Sequence, residues 1–199
     1  MQLNQDEFAA HLPVYLTRVQ KDNLIAALKN FNQHSFYTTY GTDELLQGDG
    51  WGQLDIFSFQ SGQQRKVRGI FLSNSCDISP ENERILPPNI VFVPLIPTKA
   101  VVDMLTAKGI AKNKIEDTIK DMRAQRITSV FFLPKHTNGL NEDHIAFLDN
   151  VHSLPANHFI QQKTQPKIFT LSQMGFYLFL FKLSVHFCRF GENVQRYDV

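Results

Sequence analysis

Residues 89–96, Asn-Ile-Val-Phe-Val-Pro-Leu-Ile, constrain what this chain can fold into more than any other stretch. The run is apolar, rich in β-branched residues, and follows the pair Pro87-Pro88. It is short for a helix and shows no polar face, so it reads as a buried strand. Pro94 has no N–H to give to a ladder, which predicts a bulge or an edge at that point.

Other strands gather around it. Phe57 and Phe59 alternate with Ser58 and Gln60, the mark of a half-buried strand. Residues 61–64, Ser-Gly-Gln-Gln, give a turn, and residues 66–72 give the next strand. Residues 129–133 and 144–148 are two further strands on either side of the turn Thr137-Asn138-Gly139. A polar loop over 77–88 and a connector over 161–166 complete this middle part.

Helical patterns occupy the flanks. Residues 1 to about 35 read as helical, with Leu24, Ile25, Leu28 and Phe31 at helical spacing. A helix is expected over 101–126, interrupted at Gly109, with Ile115, Ile119 and Met122 on one face and charges on the other. Ser172 caps a last helix reaching about residue 190, where Gly191 ends it. That helix is apolar nearly all round, and Phe176, Leu180 and Leu183 are its expected core stripe.

Segregated strands and helices imply an α+β fold. Short, turn-linked antiparallel strands suggest a small curled barrel. The expectation is one domain over 1–199: a helical N-terminus (1–40), a barrel core (45–155) with the inserted helix (101–126), and the C-terminal helix (172–190).

Charge narrows the function classes. Lys and Arg total 20 against 19 Asp and Glu. That balance excludes the broad basic excess of a non-specific nucleic-acid binder, so any such contact must come from a local patch. The one dense basic cluster is Arg65, Lys66 and Arg68, to which Arg84 can add from the polar loop. It is either an anion-binding patch or a solvated hairpin. Cys76 and Cys188 are far apart and form no zinc spacing or disulfide framework. No histidine pair has metal-ligand spacing, so neither metal nor cofactor is expected. The polar start of the chain and the charge-interrupted apolar stretch at 174–190 point to a cytoplasmic protein with no membrane span.

The strongest candidate site is Phe71-Leu72-Ser73-Asn74-Ser75-Cys76-Asp77, where a strand gives way abruptly to small polar residues. Small side chains leave a rim open, and Ser, Asn and Asp offer donors and acceptors there. Ser73, Asn74, Ser75 and Cys76 are the candidate binding residues, with Arg65, Lys66 and Arg84. Asp77 is either a turn-capping residue or an acid that shares in proton transfer. Cys76 is either a small buried thiol or a nucleophile, and the adjacent Asp77 disfavours its thiolate.

The middle of the chain also resembles the toxins of the MazF/PemK type, over about residues 48–100. Gly48-Asp49 is similar to the pair that opens the barrel in that family. Arg68 is similar to the Arg that begins its second strand, Ser73 falls at that strand's end, and residues 94–98 are similar to the end of a later strand. The resemblance implies an SH3-like barrel from a toxin–antitoxin setting that binds or cleaves RNA. On that reading Arg68 and Asp77 are the catalytic pair: cleavage through the ribose 2′-hydroxyl needs a base and a cation for the charged phosphorane. The alternative is a non-catalytic interaction protein. There the barrel is a scaffold and the helices dock a protein partner, or a second copy through the C-terminal helix.

Overall fold

The computed structural model describes residues 36–187, apart from 42, 60, 83, 137–138 and 163–165. The expected N-terminal helix, Cys188 and the Gly191 cap lie outside the described residues. Within them the strands are β1 (Tyr37–Thr38), β2 (Gly50–Ser58), β3 (Gln63–Phe71), β4 (Asn89–Pro97), β5 (Val130–Leu133), β6 (His144–Phe147), β7 (His152–Pro155) and β8 (Lys167–Leu171). The helices are α1 (Ser75–Ile78), α2 (Thr98–Ala107), α3 (Lys112–Arg123), α4 (Ala156–Gln161) and α5 (Gln173–Phe187).

All strand pairs are antiparallel, in the order β1-β8-β2-β3-β4-β6-β5, with β7 also on β4. The class is α+β, and the path of strands runs open from β1 to β5. β4 is the centre of the sheet. On one edge it pairs with β3, Gly69 opposite Pro94 and Phe71 opposite Phe92. On the other, its first half pairs with β7 as far as Phe92 and its second half with β6 from Leu95. Pro94 stands in the gap between those two partners, so the expected irregularity occurs inside a central strand.

Three apolar clusters hold the layers together. The first packs Phe36, Val93, Leu95, Phe131 and Leu133 against Leu178 and Phe179 of α5. The second packs Leu54, Ile56, Phe71 and Phe92 against Ile78 of α1 and Phe159 of α4. The third packs Val101 of α2 and Ile115, Ile119 and Met122 of α3 onto Val130, Phe132 and Ile145.

Several details differ from the sequence reading. The helix expected over 101–126 is two helices, broken where Gly109 takes φ +74°, a backbone region glycine enters without strain. The connector after Pro155 holds α4 and leads into β8. On α5 the buried residues are Gly175, Leu178, Phe179, Phe181 and Lys182. The expected stripe of Phe176, Leu180 and Leu183 is only half-buried. Gly175 sets this phase, because a Cβ there would lie 2.6 Å from the Phe36 carbonyl oxygen. Lys182 is buried, and its Nζ donates to the Gln125 carbonyl at 2.9 Å and to that of Ile127.

Candidate nucleic-acid interface on β2 and β3

β2 and β3 form a long hairpin whose register fixes which side chains meet. Asp55 faces Lys66, Ile56 faces Arg65, and Phe57 faces Gln64. Alternation along a strand puts Lys66 and Arg68 on one face and Arg65 on the other. Arg65 instead approaches His152, whose imidazole is lowered by burial and by the Arg65 charge. The basic cluster of the sequence is therefore divided by the pleat.

Lys66 and Arg68 line a cleft of about 440 Å³ with Gln53, Pro166, Lys167 and Ile168. A bulge between Trp51 and Leu54 shapes one wall, and Gln53 there has φ +58°. Two of the three cations are committed to the fold. Lys167 Nζ lies 2.8 Å from Asp49 Oδ2 and donates to the carbonyls of Gly41 at 2.6 Å and Glu44 at 2.9 Å. Lys66 Nζ donates to Asp55 Oδ2 at 2.9 Å and to Gln162 Oε1 at 3.0 Å. Arg68 is exposed and has no hydrogen bond or ion pair among the described residues.

Beside Lys66 lies an acid–imidazole pair that the sequence did not reveal. His158 Nε2, on α4, is 3.0 Å from Asp55 Oδ2, and Gln162 Nε2 donates to the same oxygen at 3.2 Å. Desolvation acts to raise the Asp55 carboxyl. The hydrogen bonds from Lys66, His158 and Gln162 outweigh it and hold Asp55 well below the usual carboxylate range. His158 Nε2 is turned to Asp55 and to the Gln162 amide nitrogen, so Nδ1 is its ring nitrogen with no hydrogen-bond partner among the described residues.

The segment after β3 has a different character. Ser73 Oγ accepts from Val91 N at 2.7 Å. Asn74 caps α1, its side chain accepting from Cys76 N at 2.9 Å. Ser75 Oγ accepts from Gln47 N at 2.9 Å. Asp77 pairs with Arg84 at 2.7 Å, and Arg84 also donates to the Cys76 carbonyl at 3.0 Å. The polar run thus fastens β3 to β4 and to the turn before β2, while Ile78 plugs the second cluster. The Cys76 thiol is free and exposed. Ser75 lines a separate cavity, of about 420 Å³, with Gln47, Thr170 and Gln173. Arg68 and Asp77 share neither cavity.

Among the described residues no group of three His, Cys, Asp or Glu side chains is placed to hold a metal. No described helix is long and apolar enough to cross a membrane. No protein-family model matches the chain, and no curated protein matches it in sequence.

Proposed function

We propose that the protein binds RNA across the face of β2 and β3 that carries Lys66 and Arg68, and cleaves it there. The observation that carries this reading is Arg68: an exposed guanidinium with no partner among the described residues, in a cleft it shares with Lys66. A guanidinium suits a phosphate because its fork of N–H groups matches the phosphate oxygens. The resemblance of residues 48–100 to MazF/PemK-type toxins favours the same strand. The change of partner along β4, from β7 to β6, suits a curled SH3-like sheet.

For cleavage the base is His158 in place of Asp77, which is engaged by Arg84. His158 Nδ1 takes the 2′-hydroxyl proton while the 2′-oxygen bonds to phosphorus. The bond from phosphorus to the 5′-oxygen breaks, and that oxygen takes a proton from water. The products are a 2′,3′-cyclic phosphate and a 5′-hydroxyl. Arg68 stabilises the charge that gathers on the phosphorane.

Two substitutions test this. Arg68→Ala should weaken binding of single-stranded RNA at low salt roughly 10- to 100-fold. It should also reduce the salt slope by about one. Affinity equal to the parent's removes Arg68 from the interface. His158→Ala should leave binding in place and slow cleavage about 10²- to 10⁴-fold, the usual contribution of a general base. Cleavage at the parent rate, or a product without the cyclic phosphate, refutes that assignment.

A further inference from the structure

The tip of the same hairpin carries two large apolar rings in water. Phe57 is 51% exposed and Phe59 is 93% exposed, with ring centroids 5.4 Å apart and planes at 84°. Single exposed apolar residues are ordinary on a protein surface. These two are near neighbours and touch, and Phe57 lies on the strand face that holds Asp55 opposite Lys66. On that face Asp55 is answered by Lys66, and Arg68 is a cation with no partner among the described residues.

We infer that Phe57 and Phe59 are a stacking platform for unpaired bases, so that the nucleic acid this hairpin selects is single-stranded. The inference rests on the RNA reading above and specifies its substrate. Cations alone hold any polyphosphate backbone, paired or not. A ring adds something only when a base offers a free face, and in a duplex both faces are already covered by neighbouring base pairs. Cations tracking a backbone beside aromatic rings that receive its bases are how single strands are held without sequence readout. Here the order along the hairpin is Arg68, then Lys66, then Phe57 and Phe59 at the tip. A strand with a phosphate on Arg68 that follows the hairpin to its tip places bases on the rings. The turn around Gly62, whose N–H donates to the Ser58 carbonyl at 2.8 Å, holds the tip in that position.

The test uses the full chain and a double variant, Phe57→Ala with Phe59→Ala, alongside Arg68→Ala. Both rings are exposed, so the melting temperature should equal the parent's. The probes are an oligouridylate, a blunt RNA duplex of the same length, and vesicles rich in anionic lipid. The double variant should bind the oligouridylate about 5- to 100-fold more weakly and the duplex as the parent does. Phe57→Tyr with Phe59→Tyr, which keeps both rings, should restore the affinity. Arg68→Ala should weaken both RNA probes. If the double variant keeps full affinity for the oligouridylate while Arg68→Ala loses it, the platform is refuted and the phosphate face stands. If the parent binds neither RNA, the RNA reading fails and the platform with it. Binding to the vesicles that is lost in the double variant, with RNA affinity unchanged, overturns the inference in favour of a lipid surface.

Discussion

Asp49→Ala should destabilise the fold by about 3–5 kcal/mol. The Asp49 side chain is 1% exposed and faces Lys167, itself only 12% exposed, at 2.8 Å. It also accepts from Leu46 N at 2.9 Å. Removing the carboxylate strands a nearly buried ammonium and an amide at once. The pair joins the turn before β2 to β8, a contact between residues far apart in sequence. Asp49→Asn keeps the acceptor and should cost less. Urea denaturation of the three proteins checks the order, and equal midpoints for parent and alanine variant would show the pair to be dispensable.

The same carboxyl predicts a pH dependence. Burial raises Asp49 to about 6, against the hydrogen bond and charge of Lys167, which lower it. In the unfolded chain it titrates near 4. Between those values the folded state holds a proton that the unfolded state has released. Its contribution to stability is therefore full below about pH 4 and declines by about 3 kcal/mol as pH rises to 6. The Asn variant lacks this slope. Denaturation curves for parent and Asp49→Asn that stay parallel from pH 4 to pH 6 would contradict the assignment.

Phe179→Ala should cost about 3–5 kcal/mol. Phe179 is fully buried in the first cluster, its ring 5.0 Å from that of Phe131 at 55°. It is the residue through which α5 meets β5, and truncation leaves a void that a sheet on one side and a helix on the other cannot collapse to fill. Leu180→Ala, one position along, should cost clearly less because Leu180 is half-buried. A domain's whole stability is commonly about 5–15 kcal/mol, so the first loss would appear as a large fall in melting temperature. A melt within a degree of the parent's would show that α5 does not rest on this ring.

These two substitutions also mark the limits of reading the sequence. Strands β2 to β6 announced themselves by alternation or by apolar runs. β7 did not, because only Leu154 among its four residues is buried, and its place follows from continuing β6 along β4. α4 is six residues long, too short for a helical period to show. On α5 the apolar residues go all round, so the sequence had no means of choosing the face, and it gave no warning that Lys182 is inside. At the site, Lys66 and Arg68 were visible as charges. Arg65 looked equivalent until the pleat turned it to the opposite face. Asp55 and His158 are 103 positions apart and meet only through the path of the sheet.

Pro94 gives the central strand a property no other residue would. The Leu72 N–H donates to the Val91 carbonyl at 2.8 Å. In an antiparallel ladder that makes residues 91 and 93 the bonded pairs with β3, so the nitrogen of residue 94 points to the other edge. On that edge the pairing with β7 ends at Phe92 and the pairing with β6 begins at Leu95. The position is buried, so an amide hydrogen there that found no acceptor would cost about 1–3 kcal/mol. Proline has no such hydrogen. The strand therefore changes neighbours at a residue that has no N–H to find a new acceptor for.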